Sequence, residues 1–244
     1  MKLNLQLFGG RGASSINVES GWNREESRIL KKYIKSTANL KNEQYRIIDA
    51  NGNVLIKKQG EEHQVSITTG EKREYLDGNI SLHNHPNGGT FSADDIRDFG
   101  FGAKEIVIST PEGQYRLINT NYGTRKEKDG WLDFQRGLEK VQSEEMNFRT
   151  LQDKANEYVR TTDTYKRYER LGKEVMNKKN TLSNEEFRKW VDATKEEYDN
   201  AYKEVQSLRA KEMRRIETQS SHNYIKKNAR KYGFKYVTNN TLYR

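Results

Sequence analysis

Apolar residues in the first half of the chain fall at helical spacing and then at strand spacing. Ile29, Leu30, Tyr33 and Ile34 recur among charged residues, which predicts an amphipathic helix over residues 22–37. Short runs rich in β-branched and aromatic residues then predict strands at 45–49, 53–57, 65–68, 79–85, 105–109 and 114–118. A sheet with flanking helices over about a hundred residues can support its own core. The pattern therefore predicts an α+β domain.

The second half of the chain keeps helical spacing almost throughout. Apolar positions lie three or four residues apart over 131–171 and again over 187–208. Between these stretches, the run Ser-Asn-Glu-Glu at 183–186 is typical of the start of a helix. We therefore predict two long helices that form an antiparallel hairpin or coiled coil, which is a surface suited to a homodimer.

Composition indicates that only part of the chain is a compact globule. Hydrophobic and charged residues each make up 32% of the 244 residues, so the hydrophobic share is low for a single packed core. We divide the chain into a flexible segment at 1–20, a folded domain at 21–125, the helical region at 126–217 and a short basic segment at 218–244. No run approaches the roughly eighteen apolar residues of a transmembrane helix, so no membrane association is expected.

The run His-Asn-His-Pro at 83–86 concentrates metal-binding chemistry. Residues two apart on a strand face the same side, so His83 and His85 would point together. Ser92 is a predicted helix N-cap, with Asp95 in the first turn able to face the strand and Asp94 as a weaker substitute. Because the chain has no cysteine, a metal site must use histidine and carboxylate. Two histidines and one aspartate leave a fourth position for water, as in catalytic zinc sites.

Such a site also needs a group that moves a proton and a group that stabilises an oxyanion. We favour Glu43 for the proton because it precedes an apolar strand that can lie beside that of His83. Ser92 is the candidate for the group that stabilises the oxyanion. Four other glutamates are closer in sequence to the histidines but fall in polar segments: Glu61, Glu62, Glu71 and Glu74.

Glu43, the run at 83–86, Ser92 and Asp95 together resemble the signature of the JAB/JAMM (MPN-type) metalloproteases. That signature is an upstream glutamate, then His-x-His-Pro, a short loop and Ser-x-x-Asp. The resemblance covers roughly residues 21–121 and is most similar to prokaryotic members, including the RadC-like branch and the JAB-like domains of phage head-associated proteins.

The resemblance implies a JAB/MPN-like mixed sheet flanked by helices and a bound Zn²⁺. His83, His85 and Asp95 would be the zinc ligands, Glu43 the general base and Ser92 the group that stabilises the tetrahedral intermediate. The implied reaction is hydrolysis of a peptide or isopeptide bond, in which a zinc-bound water attacks the carbonyl. The implied substrate is a protein or a ubiquitin-like conjugate.

The first fifteen residues, in which leucines alternate before a glycine- and serine-rich stretch, resemble the beginnings of proteins from phage head gene clusters. By this resemblance the protein would be encoded by a phage or prophage. We would then expect phage head proteins as partners, and the bacterial host cytoplasm or the virion as its location.

Two other functions stay open: a non-enzymatic virion or DNA-associated protein that uses the fold as a scaffold, and a metal-dependent nuclease. In a purely structural interpretation, the histidines are a polar strand edge and Ser92 with Asp95 is only a helix cap.

The segment 218–244 carries six basic residues, no acidic residue and five interleaved aromatic residues. This mixture suits phosphate contact and base stacking, so non-specific nucleic acid is an expected partner. The alternative, which we favour over specific readout, is a helix and a strand that fold back onto the first domain with their lysines outward. In that arrangement His222 would approach the metal site.

Overall fold

A computed structural model of the protein describes residues 24–61, 64–123, 130–145 and 147–239. The segment 1–20 and Glu62, one of the alternative glutamates, lie outside the described residues. The chain divides into two compact units, one formed by Met1–Val141 with Ser221–Arg244 and the other by Gln142–Ser220. The part of the chain that the structure describes has no helix long and apolar enough to cross a membrane.

The first unit is built on a mixed sheet of six strands in the order β2-β1-β3-β4-β5-β6. The strands β3 and β4 are parallel, and every other neighbouring pair is antiparallel. The strands are β1 (Gln44–Ile48), β2 (Val54–Gln59), β3 (Ile80–Asn84), β4 (Glu105–Thr110), β5 (Gly113–Asn119) and β6 (Phe234–Thr238). The helices of the chain are α1 (Arg24–Thr37), α2 (Thr69–Tyr75), α3 (Ala93–Ile96), α4 (Gly130–Glu145), α5 (Phe148–Arg160), α6 (Asp163–Thr181) and α7 (Asn184–Asn228). The predicted α+β class is confirmed.

Each face of the sheet has its own apolar core. On one face, α1 packs Leu30 and Tyr33 against strand residues such as Leu82, as its amphipathic pattern predicts. The other face is covered by α3, α4 and the end of α7, and its larger core includes Phe91, Phe99, Phe134, Leu138 and Ile225. The strand β3 runs through the middle of this sheet and is buried at all five positions. Side chains that emerge from its end are therefore held on a rigid support.

Five of the six predicted strands are present, and the one predicted at 65–68 is wrong. This stretch is a loop whose last residue, Thr68, caps α2. The Thr68 hydroxyl accepts a hydrogen bond from the backbone N–H of Glu71, and the Glu71 carboxylate accepts one from that of Thr68. The capping box fixes the chain as a helix start. Val65 and Ile67 still pack against the larger core, which explains why their spacing resembled that of a strand.

The helical region contains more breaks than predicted. The expected single helix over 131–171 is wrong, because the chain breaks into α4, α5 and α6. Polar side chains start the later helices: Asn147 accepts a hydrogen bond from Arg149 N, and Thr162 accepts one from Tyr165 N. These caps interrupt the helix without interrupting the apolar spacing, so periodicity alone did not show them.

In the second unit, α6 and the first part of α7 pack against each other as a helical hairpin, whose first arm begins later than the predicted one. The Tyr168 ring lies 5.3 Å from that of Tyr198 and 5.9 Å from that of Tyr202, measured between centroids. The predicted start of the second helix is also confirmed, since Glu186 accepts a hydrogen bond from Ser183 N at 3.0 Å. A single helix of 45 residues then follows as α7.

The C-terminal segment folds back onto the first unit as a helix end and an edge strand, the arrangement favoured above. The strand β6 pairs antiparallel with β5, with Phe234 opposite Asn119. Ile225, Ala229 and Phe234 are buried in the larger core. Five basic side chains of the same segment are exposed: Lys226, Lys227, Arg230, Lys231 and Lys235. The segment is therefore part of the core as well as a basic surface.

We expect Phe234→Ala to destabilise the protein strongly. Phe234 is 4% exposed, and its ring centroid lies 4.5 Å from that of Phe99 and 5.2 Å from that of Phe134. Removing such a ring leaves a cavity and should lower the free energy of unfolding by about 3–5 kcal/mol. Urea denaturation measures the change. The neighbouring exposed Lys235→Ala is the control and should change stability by no more than about 0.5 kcal/mol. Equal effects of the two substitutions would contradict the placement of β6.

Candidate metal centre

The end of β3 positions the two histidines. The backbone N–H of His85 donates to the carbonyl of Ser109 at 2.9 Å, so the pairing with β4 continues one residue beyond β3. His83 and His85 thus remain on one extended segment, two residues apart. Their Nε2 atoms lie 3.0 Å from each other. The structure therefore brings these side chains together at the edge of the larger core.

The turn after the histidines fixes the orientation of the second ring. The N–H of Gly88 donates to the His85 carbonyl at 3.1 Å, and Gly88 has φ 81°, a left-handed conformation that glycine adopts without strain. The turn brings the carbonyl of Gly89 to 3.0 Å from His85 Nδ1. A proton on Nδ1 then donates to this carbonyl and leaves the Nε2 lone pair for a metal.

The helix α3 presents Asp95 to both imidazoles. Ser92 caps this helix in a capping box, in which Asp95 Oδ2 accepts the Ser92 N–H at 2.6 Å. Asp95 Oδ1 lies 3.0 Å from His83 Nε2, and Asp95 Oδ2 lies 3.7 Å from His85 Nε2. Asp94, the weaker substitute, is 79% exposed and pairs with Arg97, so it does not face the histidines. The Ser-x-x-Asp motif is therefore both a helix cap and part of the histidine cluster.

The three side chains fit a single metal ion. In the described ranges, the potential ligand atoms of His83, His85 and Asp95 all lie within 4.8 Å of one another. Ligand atoms at about 2.0–2.1 Å around a tetrahedral zinc would be about 3.3 Å apart. The two Nε2 atoms lie 3.0 Å apart, and Asp95 approaches His83 at 3.0 Å through Oδ1 and His85 at 3.7 Å through Oδ2. The group could therefore hold a metal ion.

The pKa shifts favour the metal-binding forms of Asp95 and His85, whereas His83 would have to lose a proton that its neighbours stabilise. Burial lowers the pKa of His83, but Asp95, Asp98 and Glu43 together raise it above the ordinary histidine value. Burial lowers the pKa of His85 below that value, and Asp95 offsets this only in part. Burial acts to raise the pKa of Asp95, yet the two imidazoles outweigh it and hold that pKa well below the usual range. An ionised aspartate and a neutral His85 are the forms that bind metal.

Glu43 immediately precedes β1. The β1–β3 ladder ends at the pair Tyr45–His83, so Glu43 is two residues beyond the β1 residue that lies opposite His83. Its backbone pairs with the residues that follow β2, since Glu43 N donates to Glu61 O at 2.7 Å and Gly60 N donates to Glu43 O at 2.9 Å. Its side chain is partly exposed, and its charge contributes to the raised pKa of His83. Glu43 is therefore near enough to His83 for its charge to act on that imidazole.

The other described glutamates occupy different positions. Glu71 is held in the α2 capping box and forms an ion pair with Lys58 at 2.6 Å. Glu61 and Glu74 are exposed. Of these residues and Glu43, only Glu43 is among the groups that raise the pKa of His83.

The hydroxyl of Ser92 accepts a hydrogen bond from the backbone N–H of Asp95 at 3.2 Å. Because a hydroxyl accepts and donates at the same time, its own proton can point to another acceptor. Ser92 is only partly buried. Ser92 thus lies one helical turn from the Asp95 carboxylate, and its hydroxyl can still donate a hydrogen bond.

His222 does not belong to the cluster of ligand atoms found in the described residues. Its Nδ1 atom lies 2.9 Å from the Tyr236 hydroxyl of β6, and the two rings are in edge contact. His222 therefore packs against the edge strand, and the expectation that it supplements the metal site gains no support.

Sequence reasoning missed a second polar cluster directly under the site. Asp98 is 1% exposed and accepts hydrogen bonds from Tyr45, Ser81 and Lys72. Burial, followed by the charge of Asp98, raises the pKa of Tyr45 well above its usual value, so the hydroxyl stays protonated as a donor. One signal was available, since Asp98 follows Asp95 by three residues and shares its side of the helix.

The comparisons with known proteins give no relative: no family model, no curated protein and no solved structure matches this chain. A proposal for its function therefore rests on the sequence motif, the fold and the geometry of the site.

Proposed function

We propose that this protein is a zinc-dependent hydrolase of peptide or isopeptide bonds, of JAB/JAMM type. The observation that carries the proposal is the convergence of His83, His85 and Asp95, with the charge of Glu43 near enough to raise the pKa of His83. Two imidazoles and one carboxylate are a ligand set of catalytic zinc, which leaves a position for water. A structural zinc site would instead need a fourth protein ligand.

Each residue has a defined task in this mechanism. When bound, the zinc ion would lower the pKa of a water to about 7 and polarise the substrate carbonyl. Glu43 accepts a proton from the attacking water and delivers it to the leaving amine. The hydroxyl of Ser92 donates to the carbonyl oxygen as negative charge develops there. The Ser92 N–H and the Gly89 carbonyl keep Asp95 and His85 in their binding orientations.

The family resemblance extends the proposal to fold, substrate and origin. The sequence His-Asn-His-Pro with Ser-x-x-Asp supports a JAB/MPN-like domain that acts on proteins or ubiquitin-like conjugates. The opening fifteen residues support a phage or prophage origin, with phage head proteins as partners and the host cytoplasm or the virion as location. A homodimer through the hairpin of α6 and α7 is also part of the proposal. It is supported by α6, of which every residue is described and none is buried.

A peptide library tests the reaction class. Zinc-loaded protein is incubated with proteome-derived peptides and with peptides joined through a lysine ε-amide, and mass spectrometry detects new amines. We expect cleavage that a chelator abolishes. The same preparation is tested on supercoiled plasmid DNA. Cleavage of the plasmid without peptide cleavage would replace this proposal with a metal-dependent nuclease.

A second function, non-specific binding of nucleic acid, is favoured by the exposed basic side chains of the C-terminal segment. Deleting the segment cannot test it, because Ile225 and Phe234 belong to the core. Charge substitution can test it. We expect Lys226→Gln, Lys227→Gln and Lys231→Gln, made together, to weaken binding to a short DNA duplex measured by fluorescence anisotropy. The slope of log K against log salt should become shallower by about 0.9 for each phosphate that the variant no longer neutralises.

The matched control for this experiment removes three positive charges from the earlier part of α7, away from the C-terminal segment. Lys189, Lys195 and Lys203 are also exposed, and their replacement by glutamine should leave DNA binding nearly unchanged. Equally weakened binding in the two triple variants would show that net charge, rather than the C-terminal surface, determines binding.

A further inference from the structure

Asp98 is a buried carboxylate that binds three different elements of the first unit. Its Oδ2 atom accepts the Tyr45 hydroxyl at 2.7 Å and the Ser81 hydroxyl at 2.6 Å. Its Oδ1 atom accepts Lys72 Nζ at 2.7 Å, and the side chains of Asp98 and Lys72 are 2% and 18% exposed. Tyr45 belongs to β1, Ser81 to β3 and Lys72 to α2. Asp98 therefore joins two strands and one helix at a single buried point.

Asp98 follows Asp95, a member of the candidate metal cluster, by three residues along the chain. The helix α3 continues into a short 3-10 helix at Arg97–Phe101, which contains Asp98. Residues three apart lie on the same side of a helix, so Asp95 and Asp98 both face the sheet. Asp95 contacts His83 and His85, while Asp98 contacts the sheet one turn further on. The attachment of Asp98 to the sheet therefore lies one helical turn from the contacts between Asp95 and the histidines.

The strand side of this attachment also reaches the histidines. Ser81 is two residues before His83 and on the same face of β3. The Tyr45 ring stacks on the His83 ring, with centroids 5.9 Å apart and planes at 17°. One phenol therefore touches a candidate ligand through its ring and Asp98 through its hydroxyl.

We propose that Asp98, together with Tyr45, Ser81 and Lys72, is a positioning residue that holds Asp95 opposite His83 and His85. The inference rests on the proposed metal site but concerns the geometry of the ligands, which exists without the ion. The ammonium of Lys72 supplies a positive charge beside the carboxylate, as buried charges require. Residues that hold metal ligands in place without binding the metal themselves typically lower metal affinity by about 10- to 100-fold when they are removed.

The test is Tyr45→Phe, which keeps the stacked ring and removes only the hydroxyl. We expect its affinity for Co²⁺ to fall by about 10-fold and its visible cobalt spectrum to change, because the spectrum reports the arrangement of the ligands. Ser81→Ala should act in the same direction. Asp98→Asn should have the largest effect, and if it fails to fold, the other two variants still decide.

The matched control is Tyr224→Phe, another tyrosine that packs against the same core. Its hydroxyl donates to the Phe134 carbonyl at 3.1 Å and makes no contact with Asp98. This variant should keep the wild-type cobalt affinity and spectrum. A decrease in Tyr45→Phe that Tyr224→Phe reproduces would show general destabilisation and overturn the proposal. Wild-type behaviour in both Tyr45→Phe and Ser81→Ala would also overturn it.

A metal-free measurement separates this inference from the proposed function. Side-chain ¹H–¹⁵N spectra of histidine in the metal-free protein report the contact between His83 and Asp95. We expect the His83 signals to shift in Tyr45→Phe and not in Tyr224→Phe. If wild type binds no cobalt or zinc, the proposed function fails, and these spectra still test the positioning role. Unchanged His83 signals in Tyr45→Phe would then reject it.

Discussion

We expect His85→Ala to abolish stoichiometric metal binding by the purified protein, because it removes one of the three side chains whose ligand atoms lie within 4.8 Å of one another. The remaining His83 and Asp95 offer only two ligand atoms. Removal of a residue that only supports a metal ligand lowers metal affinity by roughly 10- to 100-fold. Removal of a ligand itself should lower the zinc affinity by more than that. Competition titration against a chromophoric chelator measures the affinity, and elemental analysis measures the metal content.

His222→Ala is the matched control for this experiment. His222 is as buried as His83, at 4% exposure, but bonds with Tyr236 outside the cluster. The two substitutions remove the same side chain from the same unit. Full zinc binding by His222→Ala, together with no binding by His85→Ala, supports the site. Failure of both variants to bind zinc would show that the protein needs its histidines for stability rather than for coordination.

We expect Glu43→Gln to give a different result: the protein should keep its metal while the proposed cleavage becomes much slower. Glutamine occupies nearly the same volume but cannot accept the proton of the attacking water. The cleavage rate in the peptide library should fall by about 10²- to 10⁴-fold, the usual contribution of a general acid–base group. Zinc content should equal that of wild type, because Glu43 is not one of the three ligands.

The variant Glu61→Gln tests whether a slower cleavage rate follows specifically from loss of the Glu43 carboxylate. Glu61 is exposed, and its carbonyl accepts the backbone N–H of Glu43, so it is a close neighbour by strand pairing. Its substitution should leave the cleavage rate unchanged. A slow Glu61→Gln beside an active Glu43→Gln would move the general base to Glu61 and contradict the role given to Glu43.

Local features of the sequence were enough to predict the elements of the site. Strand alternation places His83 and His85 on one face, because it is a property of the backbone itself. Cap chemistry places Asp95 in the first turn after Ser92. Both signals act over a few residues, and the structure shows both. The same kind of signal was misleading at Val65 and Ile67, where strand-like residues precede a helix cap.

Contacts between residues distant in sequence could not be predicted. The bond between Tyr45 and Asp98 spans 53 residues, and no periodicity links a tyrosine on one strand to a carboxylate on a later helix. The pairing of β6 with β5 closes an even longer segment of chain. Sequence could suggest that the C-terminal segment folds back, but not which strand it joins. Such pairings depend on tertiary packing, which overrides local propensity.

The most direct test of the central claim is anomalous X-ray diffraction at the zinc edge from crystals of the zinc-loaded protein. We predict one anomalous peak, about 2.0–2.1 Å from the Nε2 atoms of His83 and His85 and about 2.0–2.2 Å from a carboxylate oxygen of Asp95. Absence of a peak among these three side chains, or a zinc ion bound only elsewhere on the chain, would contradict the account.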